Sequence, residues 1–277
     1  MRANRCGNGV RPGGSANIPH RHQPAPCKRH VWKFKQKPAQ EHPPSPWVSI
    51  ARMSTQYECL KSADLYAEAF GVPAPETLLD KEVWPRKQGF FIRKAHSDAP
   101  AVPDEAAPPV VLELAQGQFG LVPTWVKSTS DAKLRSTKLA VTRYETMSTA
   151  TPTRETWLQG QRCIIPMQAF FEDDWRSGKA VPTRIARVDG KPMGVAGLWE
   201  QWAKDGESIT SFTLLTVNAN SHALMNRYGQ NGNEKRMPAI LNEGAWSAWL
   251  SAPLDKAREF MRAYPANLLL ANPVQKK

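Results

Sequence analysis

Apolar positions become regular only after Met53. In the run MSTQYECLKSADLYAEAFGV, Leu60, Leu65, Tyr66, Ala69 and Phe70 fall on one helical face, and Gly71 is placed to stop the helix. Val83-Trp84 and Gly89 to Ile92 read as a strand pair or a strand and turn, before a Pro/Ala/Asp/Glu-rich loop from His96 to Pro109. Val110 to Leu114 and Phe119 to Val122 read as a hairpin, and Leu139 to Thr146 as a strand. A short helix covers Thr156 to Leu158. The central stretch is Arg162 to Trp175, RCIIPMQAFFEDDW: a buried strand over Cys163 to Ile165, a break at Pro166, and a second apolar run ending in carboxylates. Thr183 to Val188, Met193 to Trp202 and Ser211 to Val217 read as further strands, the last the clearest buried one. Glu234 to Leu241 is a basic entry into a strand. Short amphipathic helices over 245–250 and 254–261 then precede a strand-like Leu268 to Ala271.

Four positions in this pattern carry possible chemistry. Glu172 leaves a wall of Ala169, Phe170 and Phe171, where a carboxylate loses hydration and suits general acid or base work; the alternative is a solvated turn of Glu172, Asp173 and Asp174. Trp125, after Pro123-Thr124, is either a core plug or a stacking platform for bases. Arg143 and Glu145 share a strand face by alternation, as a solvated edge or as a guanidinium held by Glu145 so that it faces a phosphate. His222, in NANSHALM, suits a helix start or a packing role better than catalysis.

Charge divides the chain in two. Residues 1–52 hold ten Lys/Arg against Glu41 alone, so they carry +9 of the formal +12, together with eight of the 24 prolines. They show no apolar periodicity, and the composition predicts a disordered basic extension preceding a domain over 53–277, with Met53 as the true beginning. A nucleic-acid role for that domain must therefore rest on a local basic patch. No apolar run follows the basic residues as in a secretory signal, and none reaches transmembrane length, so a cytoplasmic protein without membrane contact is expected. Cys6, His20, His22, Cys27 and His30 match no zinc spacing, and Cys59 and Cys163 form no disulfide framework; neither metal nor cofactor is expected.

Six segments in order resemble one family. GLVPTW (120–125), TRYET (142–146), RCIIPMQAFFE (162–172), GVAGLWEQW (194–202), SFTLLTVNANSHALM (211–225) and EKRMPAIL (234–241) are similar to the SRAP family, the SOS-response-associated peptidases understood as abasic-site processing proteins. The resemblance implies an α+β fold of bent sheets forming a pseudo-barrel with peripheral helices, acting as a monomer on single-stranded DNA, especially at abasic sites. It implies a cysteine after the initiator methionine whose amine and thiol close a thiazolidine with the abasic aldehyde, and self-removal of the leader residue. Glu172 stands at the family's glutamate, and Arg143, Arg236, Trp125 and Thr216 along the DNA path. Ser54 takes the place of the family's cysteine, Val141 that of its asparagine and Gly229 that of its histidine. The resemblance thus implies a family scaffold with impaired chemistry, or a paralogue that only binds single strands.

Overall fold

The computed structural model describes residues 55–95 and 110–274. Ser54, the loop expected over 96–109, and the basic extension with its cysteines and histidines lie outside the described residues. The order runs β1 (Tyr57–Glu58), α1 (Asp64–Phe70), β2 (Glu82–Val83), β3 (Gln88–Lys94), β4 (Leu112–Phe119), α2 (Thr129–Lys138), β5 (Val141–Arg143) and α3 (Arg154–Leu158). It continues with β6 (Arg162–Met167), β7 (Ala169–Asp174), β8 (Val181–Arg187), β9 (Met193–Lys204), β10 (Glu207–Asn218), β11 (Arg236–Pro238), β12 (Ile240–Leu241), α4 (Trp246–Ser251), α5 (Leu254–Ala257) and β13 (Leu269–Pro273). The fold is α+β, as expected from the sequence. No helix among the described residues is long and apolar enough to cross a membrane.

Five strands close on themselves. β10 pairs with β4 in parallel, β4 with β3, β3 with β6, β6 with β9 and β9 back to β10 in antiparallel fashion, so the ring has no free edge along that circuit. The length of β9 makes closure possible: Met193–Leu198 serve β6, while Gly197–Lys204 serve β10. At the overlap sits Gly197, where an added Cβ would lie 2.3 Å from Ile165 Cδ1 and 2.7 Å from the Thr213 carbonyl oxygen. Only glycine lets the two partners approach there. Tyr57, Phe119, Phe212 and Phe91 form an aromatic row through the core, with successive centroids 5.3, 5.5 and 5.4 Å apart.

A second sheet, ordered β13-β8-β7-β1-β2, receives the chain directly from the barrel, because β6 and β7 are separated only by Gln168. The Gln168 N–H donates to the Glu58 carbonyl at 2.8 Å and its side-chain amide donates to the Gly190 carbonyl at 2.9 Å, which fixes the switch. α4 is held by Arg162, whose Nε donates to the Trp249 carbonyl at 2.7 Å and whose Nη2 reaches Leu250 and Ala252 carbonyls, satisfying the end of that helix.

Several local expectations need correction. The hairpin expected over 110–122 is a single strand, β4, whose hairpin partner is β3. Gly117 marks no turn: a Cβ there would lie 2.9 Å from the Thr210 carbonyl oxygen, so the residue answers close approach of backbone. Pro166 does not end its strand. It lies within β6 opposite Gly194, and β3 pairs with β6 only at Ile164, so no ladder partner on that flank needs its missing N–H. The expected strand over 139–146 stops at Arg143 and continues as turns. Leu60 precedes α1 rather than joining it, although Tyr66 and Phe70 are buried on that helix and Gly71 caps it at φ 67°.

Candidate functional site

The end of β10 organises the site because two strands flank it there. β5 runs parallel to it through Leu214↔Val141, Leu215↔Thr142 and Thr216↔Arg143, and β11 runs antiparallel through Thr216↔Pro238, Val217↔Met237 and Asn218↔Arg236. Arg143 and Arg236 thus arrive on either side of Thr216 and Asn218. The sequence reading set Arg143 against Glu145; the structure exchanges the partners. β5 ends at Arg143, so the two-residue alternation does not carry through to Glu145. Glu145 instead binds Arg236 through both oxygens, at 2.8 and 2.7 Å, while Arg143 Nη2 pairs with Glu234 Oε2 at 2.7 Å.

Arg236 is fully engaged. Its Nη1 also donates to Glu234 Oε1 at 2.9 Å, Nη2 to the Thr216 carbonyl at 2.6 Å and Nε to Thr216 Oγ1 at 3.3 Å. A guanidinium has five N–H donors, and each has an acceptor here. Arg236 is 7% exposed and Thr216 2%. Both were expected along the DNA path, and both lie in a buried network whose free oxygen and nitrogen atoms are spent on one another. Arg143 differs, keeping 43% of its side chain exposed. Burial pushes the Glu234 carboxyl up, but hydrogen bonds from Arg236 and Asn218 and the charges of Arg236 and Arg143 outweigh this and hold it below its ordinary value.

Glu172 lies on β7 opposite Thr183 and is 4% exposed. Alternation puts it on the face of core residue Phe170, which explains its burial; it is not part of a solvated turn. The same strand meets Gln56 and one other predicted position, Gly229. Tyr57 pairs with Phe170 and the Phe171 N–H donates to the Gln56 carbonyl at 3.2 Å, so the register sets Thr55, where the described chain begins, opposite Glu172. On that same flank of β7, the one not taken by β8, the Gly229 N–H donates to the Asp173 carbonyl at 2.8 Å, and Asp174 bridges Tyr228. Gly229 stands at φ 73°, in the left-handed region. Val141 is half-buried at the start of β5 and packs against the core, two residues before Arg143 on the same strand face.

Trp125 is not a core plug. It is 42% exposed, with the Arg135 guanidinium 4.7 Å over its ring, and Asp131 holds that arginine through both oxygens at 2.8 Å. Its loop is pinned by a small core of Val122, Val126, Ala132 and Trp202, whose indole N–H donates to the Val126 carbonyl at 2.8 Å. Its ring partner is Arg135, not a member of the arginine network. His222 is structural: Nδ1 accepts from the Leu224 and Met225 N–H groups, and Nε2 lies 2.7 Å from the Tyr264 carbonyl. Cys59 and Cys163 are buried free thiols; burial, with Asp80 and Glu58 nearby, pushes Cys59 up to about 12.

Sequence reasoning missed Glu234 and Lys235 as members of the cluster. The Lys235 ammonium donates to the Gly229 carbonyl at 2.9 Å and to the Gln230 carbonyl at 2.7 Å. The motif EKRMP placed both residues beside Arg236 in sequence, and that adjacency was the available signal.

Comparison with known proteins adds lineage to this geometry. The family model described as SOS response associated peptidase (SRAP) matches residues 53–277. The abasic site processing protein HMCES of Gallus gallus is 27% identical over 179 residues, covering 57% of this chain and 51% of its own length. The abasic site processing protein YoqW of Bacillus subtilis (strain 168) is 31% identical over 140 residues, covering 50% of this chain and 57% of its own. The chain spans about half the length of these two relatives. A crystal structure of a protein from Bordetella bronchiseptica superposes with a TM-score of 0.69 at 39% identity, covering 80% of this chain and 99% of that one.

Proposed function

The chain belongs to the SRAP family, and from that premise we propose that it binds single-stranded DNA, with abasic sites as its preferred target, and lacks the durable covalent step. The curated relatives above are named abasic site processing proteins. In this reading the protein acts as a monomer in the cytoplasm, and residues 53–277 form the acting domain after a basic extension.

One observation carries the proposal: a carboxylate, Glu172, is buried on β7, whose free flank is met by Gln56 near the family's reactive N-terminal position and by Gly229, while Arg143 stands half-exposed at the end of β5. A terminal amine exposed near residue 54 by removal of Met53 could condense with the ring-opened aldehyde of an abasic sugar, losing water to form an imine, and a nearby carboxylate moves the protons. Closing that imine into a thiazolidine needs a thiol on the same residue. Ser54 offers a hydroxyl, and the resulting oxazolidine is far less durable. Val141 presents no side-chain hydrogen-bonding group where the family has asparagine.

The test uses protein beginning at Met53 with that methionine removed. Borohydride reduction is expected to trap an imine with an abasic oligonucleotide, while heating in detergent without reduction leaves no adduct. Ser54→Cys is expected to create a heat-stable adduct. Failure of both the trapping and the repair would refute the reading. If intact single strands are bound as well as abasic ones and no imine is trapped, the chain is a binding module alone.

A further inference from the structure

The cluster at the end of β10 contains three cations and two carboxylates, and its charges are unequally committed. Arg236 spends all five donors on Glu145, Glu234 and Thr216, and Arg143 shares Glu234 with it. Lys235 is the exception. Among the described residues its ammonium meets no carboxylate within ion-pair distance, only the carbonyls of Gly229 and Gln230. An ammonium has three donors, so one remains after those two contacts. The residue itself is fixed at both ends of its backbone: its N–H donates to Asn220 Oδ1 at 2.7 Å and its carbonyl accepts from the Ala219 N–H at 2.8 Å. The carbonyls that seat the ammonium belong to the loop that Gly229 stitches to Asp173, the residue after Glu172. Gly229 has no side chain to screen the ammonium, and a Cβ built there would already lie 3.9 Å from Lys235 Nζ.

We propose that Lys235 is the cation of this cluster that takes a phosphate of the DNA backbone beside Glu172, and that Arg236 is a strut holding β5, β10 and β11 together. The assignment rests on the single-strand reading above. Arg236 has an acceptor on each of its five donors, so taking a phosphate would mean giving up a contact with Glu145, Glu234 or Thr216. A half-buried ammonium seated on carbonyls, with no carboxylate beside it among the described residues, keeps one donor, and its position is set before the ligand arrives. Arg143, half-exposed, supplies the neighbouring charge.

The experiment measures affinity of the full chain for a fluorescent single-stranded oligonucleotide across a salt series, for the parent, Lys235→Gln and Lys235→Arg. One phosphate contact on a single strand contributes about 0.7 to the slope of log affinity against log salt. Lys235→Gln is therefore expected to lower the slope by about 0.7 and the affinity at 0.1 M salt by about fivefold, whereas Lys235→Arg keeps the parent's slope. Two results overturn the assignment while leaving the reading intact: Lys235→Gln binds like a parent that itself binds, or both variants lose affinity with an unchanged slope, which would make the residue a loop anchor only. A parent with no salt-dependent binding overturns the assignment together with the single-strand reading.

Discussion

Arg236→Gln separates a strut from a ligand contact. The substitution deletes the bidentate pair with Glu145 and the contact with Glu234, and leaves the Thr216 carbonyl without its 2.6 Å donor. Breaking a fully buried ion pair costs about 3–5 kcal/mol. Here the Glu145 and Glu234 side chains keep 37% and 27% exposure and rehydrate in part, which places the cost at the low end, about 3 kcal/mol. For a folded body of this size each kcal/mol moves Tm by about 2–4 °C, so a drop of about 6–12 °C is expected. Urea and thermal unfolding followed by tryptophan fluorescence report both quantities. Lys in place of Arg recovers little, because three donors cannot reach acceptors arranged for a planar fork. A loss below about 1 kcal/mol would refute the reasoning, since it would show that the guanidinium is not committed to the fold.

Three further outcomes follow from the same geometry. Gly229→His, at φ 73° and with its Cβ beside Lys235 Nζ, is expected to cost about 1–2 kcal/mol and to give no gain in imine trapping on its own, contrary to simple restoration of the family's histidine; equilibrium unfolding and the trapping yield check both. Glu234 sits below its ordinary value near 4.5, so the unfolded chain takes up its proton more readily than the folded one. Its stabilising contribution is full above about pH 4.5 and is lost as pH falls through the depressed value; in a pH series of urea midpoints Glu234→Gln should differ from the parent near neutrality and converge with it in acid. Cys59 and Cys163, buried with raised pKa, should escape iodoacetamide in the native protein and react only after denaturation, as read by peptide mass; rapid native labelling of Cys59 would show that its thiol is accessible and reactive after all.

The strands with continuous apolar runs were legible because burial on both sides leaves no ambiguity: β6, β9 and β10 appear where Cys163 to Ile165, Met193 to Trp202 and Ser211 to Val217 predict them. Gln116-Gly117-Gln118 misled because a turn and a close backbone approach select the same residue, and only the position of Thr210 tells them apart. β1 is two residues long, too short to show a period. At the site, the burial of Glu172 was legible from its apolar run, and acidic partners for Arg143 were one of two readings its strand left open. The identity of those partners was not legible, because it depends on where β5 stops. The reach of Lys235 back to Gly229 was invisible too, since it is set by the fold of the loop between them and not by spacing.

The most direct test of the account incubates the unmodified, natively expressed chain with an oligonucleotide bearing a single abasic site, then heats it in detergent and weighs it intact. The account predicts the mass of the free protein alone, with bound DNA released, because no thiol accompanies an amine at residue 54 to lock the imine. A protein–DNA adduct that survives heating in substantial yield, without borohydride, would contradict it.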